Sequence, residues 1–207
     1  MCGRYSFVAE DEMIRERFGI RVRTAIYKAN YNCSPTQVLP VIASDAPDTL
    51  QFFRWGLIPS WTKANEPGKK PSLLINARAE TVADKPSFRN SFRHRRCLVP
   101  ASGFYEWKTE RGRGKKIPYH FGLKSGELFA MAGLWDEWVS PDGDIIRSFT
   151  IITTTPNELV APFHDRMPVM LRREDEGNWL GPGSMEQSLL LRPFPASAMD
   201  VCSFSVP

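Results

Sequence analysis

Four short stretches hold the residue types that do chemistry: MCGRY at 1–5, NARAET at 76–81, GFYEW at 103–107 and FHDRMP at 163–168. The first sets a thiol directly behind the initiator methionine. Removal of Met1, which a small second residue favours, leaves Cys2 with an α-amino group and a thiol on one Cα. The amine, with an ordinary pKa of about 7.7–8.0, is partly unprotonated near neutral pH and attacks an aldehyde to give an imine. The thiol of the same residue can then close onto the imine carbon as a five-membered thiazolidine, a ring open only to an N-terminal cysteine. The alternative is a small apolar side chain tucked into a first strand.

In NARAET, an extended backbone turns Asn76 and Arg78 to one side and Ala77 and Ala79 to the other. An amide beside a guanidinium fork suits a phosphate and a neighbouring hydroxyl or carbonyl; the plainer alternative is a surface pair of Arg78 with Glu80 or Glu106. GFYEW sets Glu106 between Tyr105 and Trp107. A carboxyl desolvated by aromatic walls has a raised pKa and serves as a general acid near neutrality, unless it is a partly buried acid paired to an arginine. FHDRMP carries His164, one of three histidines. It follows a proline-bounded turn and precedes a strand, whereas His94 lies in a basic run and His120 in a strand pattern. A pKa near 6.5 suits His164 to proton transfer, with Asp165 orienting it or capping a turn; a structural histidine is the alternative.

The net charge of +4 matters less than its distribution. Residues 85–96, KPSFRNSFRHRR, carry five Lys or Arg, Arg89 among them, and no acid; residues 108–116 carry five against Glu110 alone. These segments flank GFYEW. One such run is usually a solvated helix face, but two beside an aromatic pair suggest a groove for a polyanion whose bases stack on Trp107 or Tyr105. The four cysteines lie far apart, without CxxC or Cys/His spacing, so neither a metal site nor a disulfide framework is expected, and no cofactor is implied. Cys33, Cys97 and Cys202 are read as buried or idle thiols. No apolar run reaches the roughly 18 residues that span a bilayer, and the N-terminus lacks a secretory pattern, so a cytoplasmic location is expected.

A chain of 207 residues favours one domain, 1–207. A helix is expected from Glu10 to Phe18, with Met13, Ile14 and Phe18 as its apolar stripe and Gly19 as its stop. A second should follow Pro86, where Phe88 and Phe92 stand i, i+4; NELVAP and EDEGNW are further helical segments. QVLPVIA, TLQFFRW, SLLIN, CLVP, YHFGL, LFAMAGLW and IIRSFTIITT read as strands, and TERGRGKKIP as a solvated hairpin tip. Strands outnumber helices without βαβ alternation. The expected fold is α+β: a single domain with a curled, mainly antiparallel, barrel-like sheet flanked by short helices.

The ordered series MCGRY, NARAET, RCLVPASGFYEWK, AGLWDEW, FTIITTTPN and HDRMPVML resembles the SOS response-associated peptidase (SRAP) family of abasic-site processing proteins, over nearly the whole chain. The resemblance implies catalytic roles for Cys2, Asn76, Glu106 and His164. It implies single-stranded DNA with an abasic site as substrate, and a thiazolidine crosslink between Cys2 and the ring-opened sugar aldehyde as product. Arg4, Arg78 and Arg166 would bind phosphates, with Trp107 a stacking surface and Arg89 on the basic approach. AP-lyase and autoproteolytic activities are secondary implications. Two further readings stay open: a cysteine peptidase built on Cys2, Glu106 and His164, and a non-catalytic single-stranded DNA binding module. A monomer suffices for each.

Overall fold

The apolar runs pair into two sheets. The computed structural model describes residues 2–21, 28–63, 71–109, 116–182 and 185–203. Along the chain come β1 (Tyr5–Phe7), α1 (Asp11–Phe18), β2 (Asn30–Cys33), β3 (Val38–Ala43), β4 (Leu50–Trp55), β5 (Asn76–Arg78) and α2 (Arg89–His94). There follow β6 (Arg96–Ala101), β7 (Gly103–Thr109), β8 (Lys116–Leu123), β9 (Phe129–Val139), β10 (Ile145–Thr154), β11 (Met167–Pro168), β12 (Met170–Leu171), α3 (Glu176–Leu180) and β13 (Met199–Ser203). Short 3-10 turns occupy 79–81, 173–175, 185–190 and 196–198.

Strands β10, β4, β3, β6 and β9 close on themselves, because β9 and β10 also pair. A ring of five strands cannot alternate direction all the way round, so at least one junction must be parallel. That junction is β10 with β4, at Ser148↔Arg54 and Phe149↔Trp55; the other four are antiparallel. On β9, Gly133 lies between Cys97 of β6 and Ile151 of β10. A Cβ there would stand 2.8 Å from Cys97 Sγ and 3.0 Å from the Thr150 carbonyl oxygen, so the closure requires glycine. Beyond the ring, the end of β10 pairs with β5 (Thr153↔Arg78) and β11 (Thr153↔Pro168). NARAET and HDRMP thereby meet at one barrel rim.

The second sheet runs β13, β8, β7, β1, β2, all antiparallel. It packs on the barrel through fully buried aromatics: Tyr5 of β1 lies 5.3 Å from Trp55 of β4, which stacks 6.2 Å from Phe149 of β10. Burial of each ring contributes roughly 1.5–3 kcal/mol, and each ring pair about 0.5–1.5 kcal/mol more. This stack seats β1, and so the N-terminal residues, against the barrel.

The expected α+β fold with a barrel-like antiparallel sheet is what forms. The first helix ends as its sequence dictates, with Gly19 left-handed (φ 64°) and its N–H donating to Arg15 O at 2.8 Å. Its stripe is narrower than expected: Ile14 is buried, Phe18 is half-buried against the core, and Met13 is exposed. Phe88 and Phe92 are both buried, as their spacing predicts. NELVAP forms turns in place of a helix, because Asn157 Oδ1 accepts the N–H groups of Leu159 and Val160. SLLIN contributes only a bridge at Leu74 before β5 begins at Asn76. The hairpin expected at TERGRGKKIP is framed by Thr109↔Lys116, and its tip, 110–115, lies outside the described residues. Among the described residues, no helix is long and apolar enough to cross a membrane.

Candidate active site

Strand β1 delivers the N-terminus into the angle between the two sheets. Cys2 is fully buried there. Asn76, at the start of β5, donates through Nδ2 to the Cys2 carbonyl at 3.0 Å and to the Ile75 carbonyl at 2.9 Å. With both donors engaged, its Oδ1 is a buried acceptor without a protein donor among the described residues. Ala77 is buried and Arg78 exposed, so the alternation read from NARAET holds.

Glu106 is only 3% exposed. Its surroundings differ from those its sequence neighbours suggest. Tyr105 lies against His120 (5.0 Å) and Trp107 (6.5 Å), while Phe104 stacks on Phe121 (5.1 Å) and Lys108 lies 5.0 Å over the Phe163 ring. Phe163 also packs on Tyr119 and Phe121. Period-two alternation therefore puts Glu106 on the face of β7 that Phe163 covers, opposite Tyr105 and Trp107. The expectation that Tyr105 and Trp107 wall Glu106 is corrected: its cross-strand neighbour Tyr119 and the Phe163 turn do so.

Burial is the main reason the Glu106 pKa rises to about 7; the chain's α-amino charge opposes the rise and Asp165 adds to it. The Cys2 thiol is pushed far above its ordinary range, first by burial and second by the charge of Glu106; the α-amino charge and the Arg4 N–H pull the other way. Cys2, Glu106 and Asp165 are linked electrostatically: the Glu106 charge raises the Cys2 thiol, and Asp165, next to His164, raises Glu106.

His164 closes the turn that carries Phe163. Its Nδ1 lies 2.9 Å from the Arg166 N–H and 2.9 Å from Asp165 Oδ1. One nitrogen cannot accept the first and donate to the second. The pKa of the ring is lowered, first by burial and then by the α-amino charge, and Asp165 is solvated. The neutral ring accepting from Arg166 is favoured, with its proton on Nε2. His120 accepts or donates at Nε2 to Ser6 Oγ (2.9 Å) on the far face of the sheet, away from Glu106.

The expected phosphate ligands fall into three conditions. Arg78 is exposed at the end of β5, and Arg4 donates to Asn32 Oδ1 at 2.6 Å. Arg166 spends its fork on Glu80, at 2.7 and 2.9 Å, and on the Thr153 carbonyl. The surface pair weighed for Glu80 thus exists with Arg166 in place of Arg78. Arg89 is exposed at the start of α2, which packs mainly on β6 and β9, away from the Cys2 cluster. Trp107 is half-buried on the outer face of β7. Cys33 and Cys97 are buried and Cys202 exposed. Among the described residues, no three His, Cys, Asp or Glu side chains gather as a metal would require.

A family model described as SOS response associated peptidase (SRAP) matches residues 1–206. The chain belongs to the SRAP family. "Abasic site processing protein YoqW" of Bacillus subtilis is 43% identical to it, over 99% of this chain and 92% of that protein. "Abasic site processing protein HMCES" of Rattus norvegicus is 33% identical over 80% of this chain and 57% of its own. Among solved structures, a Bacteroides thetaiotaomicron protein of 33% identity superposes with TM-score 0.89, covering 99% of this chain and 92% of that one. In this SRAP chain the cluster is carried by the barrel rim at β5 and β11 and by the sheet that seats β1 and β7.

Sequence reasoning named Cys2, Asn76, Glu106 and His164, and the structure brings them together. It missed Glu80 as the partner of Arg166. No spacing rule links residues 86 positions apart, and Glu80's own neighbour Arg78 was the nearer candidate.

Proposed function

We propose that this SRAP chain processes abasic sites in single-stranded DNA by forming a thiazolidine crosslink through Cys2. The observation that carries the proposal is the placing of a buried acid, with a pKa of about 7, beside the N-terminal cysteine. Removal of Met1 frees the Cys2 amine. The amine attacks the aldehyde of the ring-opened sugar, a C–N bond forms, and water leaves as the imine forms. Glu106 in its acid form protonates the departing hydroxyl, a form that its raised pKa keeps available near neutral pH. The resulting Glu106 carboxylate then takes the thiol proton, the sulfur adds to the imine carbon, and the proton ends on nitrogen. A thiol so disfavoured as a thiolate needs such a base at the moment of attack.

Asn76 Oδ1, a buried acceptor without a protein donor among the described residues, suits an N–H of the amine or a sugar hydroxyl. The His164 Nε2–H suits the opened sugar hydroxyl and phosphate. Arg4, Arg78 and Arg166 are the phosphate ligands of the proposal, Trp107 stacks on a base, and Arg89 lies on the approach. The protein acts as one domain, 1–207, and as a monomer, in the cytoplasm. The imine also allows β-elimination, an AP-lyase side reaction, and the N-terminal processing that exposes Cys2 is the proposed peptidase activity.

A cysteine peptidase acting on other chains is less well supported. It needs a thiolate stabilised by an imidazolium, whereas here the thiol is driven up and the imidazole is neutral. A non-catalytic binding module has no use for a perturbed acid beside an N-terminal thiol. The test is a denaturing gel and intact mass after mixing Met1-free protein with an abasic single-stranded oligonucleotide. A heat-stable adduct is expected, absent for Cys2→Ala. Equal adduct from Cys2→Ala would refute the mechanism.

A further inference from the structure

Glu80 is the one charged group of NARAET to which no chemistry has been given. It sits in the turn after β5, and both its oxygens hold the Arg166 guanidinium, whose Nη2 also donates to the Thr153 carbonyl. Thr153 is the point where three segments meet, pairing with Arg78 of β5 on one side and Pro168 of β11 on the other. The Glu80–Arg166 pair closes that triangle. Arg166 is also the residue whose backbone N–H donates to His164 Nδ1. We propose that Glu80 is a positioning residue for His164. It fixes the Arg166 side chain, and with it the 164–166 turn whose backbone N–H holds the imidazole proton on Nε2.

The alternative is that Arg166 serves only as a phosphate ligand, with Glu80 its resting counter-ion. The structure weighs against so loose a pairing. The Arg166 side chain is 12% exposed, and a partly buried guanidinium that already meets two carboxylate oxygens and a carbonyl is a fixed strut. Without Glu80 the fork keeps the Thr153 carbonyl; the 157–160 turn and the packing of Phe163 on Tyr119 and Phe121 still hold residues 163–164, but neither fixes the Arg166 side chain.

The proposal rests on the crosslinking function for its consequence but not for its test. The chain has three histidines, so 15N spectra of labelled imidazoles resolve His164 without DNA. The parent should show a neutral His164 with its proton on Nε2. Glu80→Ala, folded by circular dichroism, should show a mixture of tautomers, and Glu80→Gln, which keeps one acceptor for the fork, a smaller change. Should Glu80→Ala fail to fold, Arg166→Lys, which keeps the charge and loses the fork, should show the same mixture. A parental His164 pattern in the folded variant overturns the proposal. With abasic single strands, Glu80→Ala should crosslink about tenfold to a hundredfold more slowly, while binding intact strands no more weakly. A parental crosslinking rate also overturns it. If the parent itself forms no adduct, the functional proposal falls and the spectra still decide the role of Glu80.

Discussion

Arg96 and Glu106 are buried to almost the same degree, 2% and 3% exposed, and they are opposite kinds of buried charge. Arg96 donates to four backbone carbonyls: Phe92 and Arg93 at the end of α2, Trp179 and Gly181 at the end of α3. It satisfies two helix C-termini that would otherwise leave acceptors unpaired, with the positive charge where both helix dipoles favour it. At Glu106 burial outweighs the charge that favours ionisation, and its pKa rises to about 7 despite an opposing α-amino charge. A buried charge whose hydrogen bonds are complete holds the fold together. One whose pKa burial has moved to about 7 can gain or lose a proton at neutral pH, which is what chemistry needs.

The largest effect expected from breaking this contrast is at Glu106. Glu106→Gln should slow crosslinking by about 10²–10⁴-fold, the range for a lost general acid–base. It should also stabilise the protein in alkali. In the unfolded chain the carboxyl ionises near 4.5, and in the fold it keeps its proton to about 7. Below pH 4.5 both states are protonated and burial is not penalised. Between 4.5 and 7 only the unfolded state sheds its proton, so stability falls, by on the order of 3 kcal/mol in all, and levels off above 7. Urea denaturation across pH 4–8 should show that decline in the parent and not in Glu106→Gln. A parallel decline in both would assign it to another group.

Arg96→Met should do the reverse. It strands four carbonyls at a cost of about 3–5 kcal/mol, read as a lower urea midpoint, while the protein that remains folded crosslinks at the parental rate. A loss of rate per folded molecule would show that the α2–α3 corner is coupled to the site.

A milder comparison sets Arg96 beside Arg78, the same side chain with its fork open to solvent. Arg78→Ala should leave stability within about 0.5 kcal/mol. It should weaken binding to intact and abasic strands alike and lower the slope of log affinity against log salt by about one. An unchanged slope removes Arg78 from the phosphate contacts.

The site was legible in the sequence to the extent that its chemistry is carried by residue type. An N-terminal thiol, an Asn–Arg pair two apart and an acid among aromatics each declare themselves locally. What failed was direction. Glu106 and Trp107 are neighbours in sequence and point to opposite faces of β7, so the aromatic walls had to come from Tyr119 and Phe163, which no local pattern links to residue 106. The long apolar strands β3, β4, β9 and β10 were visible by composition. The short ones, Tyr5–Phe7, Asn30–Cys33 and Met199–Ser203, were not, since three to five residues carry too little pattern and exist only through partners far along the chain. Asn157 explains the lost NELVAP helix in the same terms: a side chain that accepts two backbone N–H groups outweighs a modest apolar periodicity.

The smallest expected effect concerns strain close to the site. Thr36 has φ 76°, the left-handed region that a β-branched residue rarely enters. It is the third residue of the turn Ser34–Gln37, in which Gln37 N–H donates to Ser34 O at 3.3 Å. Proline at the second position and a positive φ at the third define a type II turn, whose third position suits glycine. The Thr36 N–H donates to the carbonyl of Trp55, the ring on which Tyr5 packs, so the strained turn is tied to the stack that seats β1. Thr36→Gly relieves about 1–2 kcal/mol of conformational strain and loses about half of that to the freer unfolded chain. Thr36→Ala keeps a Cβ and so keeps the strain. Glycine should therefore exceed alanine by about 1 kcal/mol, a gap of a few degrees in Tm for a chain of this size. If the two melt together, the strain at residue 36 is no larger than the freedom that glycine adds to the unfolded chain.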